Sequence, residues 1–547
     1  MIKNLSGILE RYEKAIPLVL FLLFLAVSVP GVNWGLPAIW NPDELVGRAA
    51  MALGGEMIFD ESEPDFNYPS LPKYLMLGIG KLTYALGYSR MEFLLAARIF
   101  SATLGALAAV MIYSLTRTIG ASAAISGLAG LLYIAAGLAP ANGRFAHNDL
   151  YLQLFAILCV TCAIKYQYTK SRLWIHGSFL AVGLAASSKY TGTSLLLVPL
   201  FVLVVMNWNW IRQNLLQAGE ILFIGAALSF AGYAIGTPKS LLWMAYYFKR
   251  VIPALQRYPL YGFNSGAAIG LYGQWEVFEQ AVGTFAYILF LAAFIWFVLK
   301  LVLGRFGRSQ LDPRQAQGSL ILIFTLLIFD LPFLVSVNYI PRYFIPFVPF
   351  LAILGAFLVN DLFTLFRERG WRWAPAGLSL LLVGGVFYSI LRLISTALLF
   401  MNDARMPAGE FIATLHDKNK ILEYTLYPPN LDRGQFLKAR NYPIYFVKYP
   451  GEVAPTGGRV EYNQGEAGLI YREVYYLVID TFTYSRLYNE AICDTNPVEC
   501  DFFLRLLAGE IASFRLIGEF TYSLPPYLPH VYISAVNPEV RVYERVR

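Results

Sequence analysis

Apolar stretches close to the ~20 residues needed to cross a bilayer recur through roughly the first three quarters of this chain. In lipid such a segment must pair its backbone polar groups within itself, so each reads as a helix. The runs lie near Ile16–Val29, Ile99–Leu115, Ala121–Leu138, Leu150–Lys165, Trp174–Ala186, Thr191–Val205, Gly219–Ile235, Val277–Leu303, Ser319–Val335, Tyr343–Leu358 and Ala374–Ile394. They predict a polytopic α-helical membrane protein with about 11 transmembrane helices. Charge content agrees: 14% of the chain is charged, against about 25% in a soluble domain. A further segment, Leu71–Leu86, is broken by Pro72, Lys73 and glycines. It reads as an interfacial helix in a long first loop, and residues 249–261 read as a second interfacial helix.

The placement of Lys and Arg orients the spans. Lys14, Arg117, Lys165, Arg212, Arg314 and Arg367 fall in short segments that alternate with long ones. This predicts a cytoplasmic N-terminus in the plasma membrane, with Pro30–Ala97, Gly236–Glu276 and everything after Ile394 on the other face. The first run lacks a small-residue cleavage site and is expected to be a retained helix. The net charge of +7 is spread between spans, without a basic run interleaved with aromatics, and this excludes nucleic acid as a partner.

From Ser395 the chain gains charge, Pro-rich turns and strand-like runs such as "VYYLVIDTFTY" and "SFRLIGEFTYSL". Residues 1–394 are therefore expected to form a transmembrane domain, and residues 395–547 an extracytoplasmic α/β or α+β domain, with a helix in "MPAGEFIATLHD". In an oxidising compartment Cys493 and Cys500 would form a local disulfide. Cys159 and Cys162 read as small core residues one helical turn apart.

The informative residues are ionisable groups at the outer ends of spans, where neither topology nor solubility explains them. They are Asp43 and Glu44 in "NPDE", Lys73, Arg98, Arg144, His147 and Asp149 in "RFAHNDLYLQLF", Lys189 in "SSKYTG", and Arg342 in "IPRYF". Acids converging with a ring of cations suit an enzyme acting on an anionic lipid: the acids activate an acceptor while the cations neutralise a phosphate leaving group. Each residue also has a structural reading. Asn41 could cap a helix with Pro42 at its first position and both acids in its first turn. Asn148 or Asp149 could open another helix. Arg144 could meet headgroups, and Lys189 and Arg342 could be interface anchors. Glu44, His147 and Asp149 are weak candidates for a divalent metal ion, with no cofactor otherwise indicated.

Taken in order, "NPDE", "YPSLPKYL", "RFAHNDLYLQLF", "SSKYTG" and "IPRYFIPFVPFLAIL" resemble the C-type membrane glycosyltransferases, the superfamily of dolichyl-phosphate-mannose–protein mannosyltransferases and aminoarabinose transferases. The resemblance implies inverting transfer of a sugar from a polyprenyl-phosphate donor to a protein, lipid or glycan acceptor on the outer face. It implies catalytic roles for Asp43 and its neighbour Glu44. Substrate binding would fall to Tyr68, Lys73, His147, Asn148, Asp149, Lys189, Tyr190, Arg342 and Tyr343. The stretch Tyr68–Lys73 departs from the family's His-Pro-Pro-Leu-Gly-Lys motif, which weakens protein mannosylation as the specific reaction. The alternative class, a transporter or lipid flippase, would place its charges near the bilayer centre and show corresponding broken helices in two halves. Neither pattern is present.

Overall fold

The computed structural model describes residues 12–56, 68–257, 271–305, 312–336, 339–415, 417–444 and 465–546. Residues 258–261, which complete the second predicted interfacial helix, lie outside that set.

Seven described helices are long and apolar enough to cross a membrane: Arg90–Thr118, Asp149–Thr169, Leu215–Gly236, Thr284–Gly304, Pro313–Leu334, Val348–Glu368 and one beginning at Ala374. Shorter apolar helices occupy Ile16–Ser28, Ala123–Ala135 and Tyr190–Val205. The predicted fifth run is a 17-residue helix, Arg172–Ser188. The sixth is a succession of 3-10, α and π turns between Tyr190 and Val205. The last apolar helix continues to Met401, beyond the predicted end at Ile394. In the first loop, Leu71–Ala85 is helical as expected.

Packing between helices relies on small residues, as it must where lipid and side chains are equally apolar. Helix Arg172–Ser188 lies so close to Leu215–Gly236 that a Cβ on Gly183 would stand 2.1 Å from the Ser229 carbonyl oxygen. A Cβ on Gly236 would collide with Ser187 Oγ. Cys159 and Cys162 are buried free thiols in this bundle, as expected for core residues.

The C-terminal domain contains a five-stranded mixed sheet in the order β2-β1-β3-β5-β4. Its strands are β1 (Asp417–Tyr424), β2 (Phe436–Asn441), β3 (Val474–Asp480), β4 (Phe514–Phe520) and β5 (Val540–Arg545). β1 is parallel to both β2 and β3, while β5 runs antiparallel to β3 and β4. The near-continuous apolar run of β3 reflects burial on both faces. Leu469, Phe502, Phe503 and Leu506 cover one face. Ala408 and Ile412, from helix Arg405–Thr414, cover the other. Cys493 and Cys500 are disulfide-bonded.

Residues between β4 and β5 leave the sheet and pack on the first loop. Val531, Ile533 and Val536 join Trp34, Trp40, Phe145 and Phe400 in one apolar cluster. At its centre the buried Asp403 carboxylate accepts from Trp34 Nε1 at 2.8 Å, from the Asn537 amide at 2.6 Å and from Arg405 at 2.9 and 2.7 Å. Arg405 also donates to the Ala535 carbonyl and stands over the Trp40 ring. The C-terminal domain is thereby fastened to the segment immediately preceding "NPDE".

Candidate active site

The "NPDE" turn is not the start of a helix. The helix begins later, at Val46, and Asn41 instead closes an Asx turn by accepting from the Asp43 amide at 3.1 Å. This corrects the expected helix cap and divides the two acids between opposite sides of the turn. Asp43 faces outward with 40% of its side chain exposed. Glu44 is buried, and Arg98 donates to both of its carboxylate oxygens, at 3.0 and 2.8 Å. Arg98 also donates to the carbonyls of Val32 and Trp34, and Glu44 accepts from the Ala146 amide. Glu44 thus locks the turn to the segment that carries His147.

Helix Arg90–Thr118 supplies Arg98 and opens with a capping box formed by Ser89 and Glu92. Arg144 is fully buried and does not reach headgroups. It donates to the carbonyls of Val27, Pro30 and Pro140, two of which lie where helix Ile16–Ser28 ends, so its charge meets the negative end of that helix.

Around Asp43 the structure gathers residues from four separated segments. Arg342, in a 3-10 turn, donates from Nη2 to Asp43 Oδ2 at 2.6 Å, and its Nε lies 3.9 Å from Asp149 Oδ2. Lys189 Nζ is 2.6 Å from Asp149 Oδ1 and stands over the Tyr343 ring. His147 Nδ1 is 2.7 Å from Asp149 Oδ2, and the Tyr68 ring meets the imidazole edge to face. One turn along the Asp149 helix, Gln153 donates to the Ile345 carbonyl at 2.7 Å and accepts from Tyr133. That bond fixes the height of the Arg342 turn relative to Asp149.

Asn148 donates to the Ser188 carbonyl and makes no helix-capping bond. Lys73 is buried in the first turn of helix Leu71–Ala85. That helix is tied to the same end of the bundle through Ser70, Thr237 and Ser187. Tyr190 packs toward Tyr247 and Val251, on the flank of the acidic cluster.

Burial pushes the Asp43 carboxyl up, but the charge and hydrogen bond of Arg342 outweigh it and hold Asp43 below the usual carboxylate range. Burial lowers His147, and Arg342 and Lys189 reinforce the effect against Asp149, so the imidazole is neutral near pH 7. Burial also lowers Lys189, with Asp149 opposing. Arg342 stays fully charged, because Asp43 and Asp149 more than offset its burial.

The expected metal set does not come together. Glu44 is consumed by Arg98, and no group of three or more His, Cys, Asp or Glu able to hold an ion occurs among the described residues. Sequence reasoning noticed Arg98 without its partner, and it missed Gln153 and the Asp403–Arg405 node. A charge inside an apolar helix needs a counter-ion, which was the signal available for Arg98.

Residues 87–251 match the family model described as dolichyl-phosphate-mannose-protein mannosyltransferase. The oligosaccharyltransferase of Archaeoglobus fulgidus, solved with zinc and sulfate, shares the fold at 12% identity and TM-score 0.50, covering 94% of this chain and 72% of that one. ArnT from Cupriavidus metallidurans bound to undecaprenyl phosphate aligns at 17% identity and TM-score 0.48, over 72% of this chain and 71% of that one. The Pmt1-Pmt2 protein O-mannosyltransferase of S. cerevisiae, bound to the sugar donor, aligns at 17% identity and TM-score 0.34, over 46% and 36%. Comparison with curated protein sequences returns no match. The family model spans less than a third of the chain, residues 87–251, and at 12% identity the Archaeoglobus fulgidus structure shows a shared fold.

Proposed function

We propose that this protein transfers a sugar, with inversion, from a polyprenyl-phosphate donor to an acceptor hydroxyl at the membrane surface. The observation that carries this reading is the meeting of Asp43, His147, Asp149, Lys189 and Arg342 from separate segments at one end of the bundle. The acceptor oxygen bonds to the sugar's anomeric carbon as the bond from that carbon to the phosphate oxygen breaks. The electron pair leaves with the phosphate, and the hydroxyl proton passes to Asp43. Lys189 and Arg342 meet the charge that grows on the departing phosphate.

In the unliganded protein Arg342 is held by Asp43. A donor phosphate competes for that guanidinium, and as Arg342 turns to it Asp43 loses its main stabilising cation. Its carboxylate becomes a stronger base only once the leaving group is in place. Glu44, with both oxygens on Arg98, positions the turn and takes no part in proton transfer. A small cavity lined by Asn41, Phe145, Arg342, Arg392, Val531 and Tyr532 lies between the bundle and the C-terminal domain. The alternation of Lys- and Arg-bearing segments supports a cytoplasmic N-terminus, with the site and the domain from about residue 395 on the outer face of the plasma membrane. Acceptors of three kinds (protein, lipid and glycan) present suitable hydroxyls.

The test is to incubate the purified full-length protein with a panel of polyprenyl-phosphate sugars and acceptors and follow transfer and donor loss. Turnover of one donor is expected. Movement of lipid across vesicles with no donor turnover would instead establish the flippase class.

A further inference from the structure

The Asp149 carboxylate is shared by three groups. Lys189 takes one oxygen, while His147 takes the other with Arg342 Nε nearby. A carboxylate between two cations only accepts hydrogen bonds, so the Nδ1 proton of His147 points at Asp149. The neutral ring then carries a lone pair on Nε2. That atom is buried and has no hydrogen-bond partner among the described residues. A buried acceptor left unpaired is costly, and a native structure retains one where something else completes it.

The character of the surrounding groups narrows what that something is. Lys189 and Arg342 offer only donors, suited to phosphate oxygens. Asp43 is committed to the incoming hydroxyl under the function proposed above. His147 Nε2 and the neighbouring Asn148 Oδ1 are both buried neutral acceptors without a partner among the described residues, and of the two His147 sits on a ring fixed by Asp149 behind it and by Tyr68 beside it. Its anchor, Asp149, also holds Lys189 at 2.6 Å, so the imidazole is fixed beside a cation proposed to bind the donor phosphate. We infer that His147 is a specificity-determining residue whose Nε2 accepts a hydrogen bond from a hydroxyl or amino group on the donor sugar, beside the anomeric carbon, so that the enzyme reads which sugar the polyprenyl phosphate carries. Asp149 then has two tasks: it orients the imidazole that reads the sugar and braces the cations that hold the phosphate.

This inference rests on the proposed transfer reaction, and the experiment separates the two. Full-length wild-type protein and His147→Phe and His147→Gln variants are assayed with the accepted polyprenyl-phosphate sugar. The same assays use analogues each lacking one hydroxyl, or bearing an amino group in its place. Wild type should use one deoxy analogue at least about tenfold less well in kcat/KM than the parent. His147→Phe, which keeps a ring against Tyr68 but has no acceptor, should lose that discrimination. His147→Gln, which keeps an acceptor, should retain part of it. Binding of sugar-free undecaprenyl phosphate should be unchanged in all three proteins. An amino analogue used as well as the parent would identify the group read as any hydrogen-bond donor, whereas its rejection would identify a hydroxyl. If His147→Phe slows every donor equally, leaving the parent-to-deoxy ratio at its wild-type value, the residue is structural and the inference is overturned. Absence of wild-type turnover with every polyprenyl-phosphate sugar would instead overturn the transfer reaction, and the inference with it.

Discussion

Arg342 donates to Asp43 at 2.6 Å, although 299 residues separate them in the chain. The contact joins the first loop to a turn that precedes the helix Val348–Glu368. It makes the cation proposed to receive the leaving group the same one that restrains the proposed base, so each state of Arg342 sets the chemistry of Asp43.

Asp43→Asn should reduce sugar transfer by about 10²–10⁴-fold, the range for loss of a positioned general base, while donor binding stays within a few fold of wild type. Glycosyl transfer by the purified variant, set beside binding of undecaprenyl phosphate, measures both. A variant transferring at the wild-type rate would remove Asp43 from the reaction.

The pH dependence follows from the same pair. Arg342 holds the Asp43 pKa below its ordinary value of ~3.8. Protonation therefore costs activity only in strong acid, and the acid limb of kcat/KM, which reports the free enzyme, should lie below about pH 4. In Arg342→Gln the burial effect remains without its opponent, so that limb should move to higher pH. In wild type the limb of kcat should already lie above that of kcat/KM, because bound donor draws Arg342 away. Coincident limbs in every case would refute the competition. The stabilisation from this pair has the sign of a depressed carboxylate: present above the unfolded-state pKa and lost as pH falls through the folded one.

Glu44 and Arg98 are both fully buried. Truncating Glu44 to Ala strands a buried guanidinium and should cost about 3–5 kcal/mol of stability, seen as a large fall in the unfolding temperature in detergent. Replacing both by Met should cost less than Glu44→Ala alone. Equal losses would show that the ion pair itself is unimportant.

Lys189→Met removes a charge-assisted contact to phosphate, a class of hydrogen bond worth about 1.5–3 kcal/mol. Affinity for sugar-free undecaprenyl phosphate should fall by roughly ten- to 150-fold, and its salt dependence should weaken. Unchanged affinity would leave Lys189 as a brace for Asp149 alone.

How much of this was legible in the sequence depends on the range of the interaction. The apolar runs and the mixed helix–strand tail were readable because periodicity and composition are local, but of about 11 expected spans seven described helices are long and apolar enough to cross a membrane. The succession of 3-10, α and π turns in the sixth run was not anticipated. The acids and cations of the site could be picked out because charge at a span end is costly wherever it occurs. Their pairing could not be read. Asp43 and Glu44 are neighbours with the same chemistry, and only the fold decides that Arg342 takes one and Arg98 the other. "NPDE" satisfies every local rule for a helix start, yet the Asx turn at Asn41 prevails because Glu44 is drawn inward to Arg98 and Ala146. Gln153 resembles any tolerated polar residue in a span until Ile345 is seen to need its amide.

The Asp403 node bears on how the molecule is made. The loop holding Asp43 is synthesised early, but its brace at Trp34 depends on Asp403, and Asp403 is completed by the amide of Asn537. Translation therefore delivers the reactive turn long before it delivers the residues that set it in place. The brace beside the Asp43 turn is therefore complete only when Trp34, Asp403 and Asn537, separated by hundreds of residues in the chain, have met.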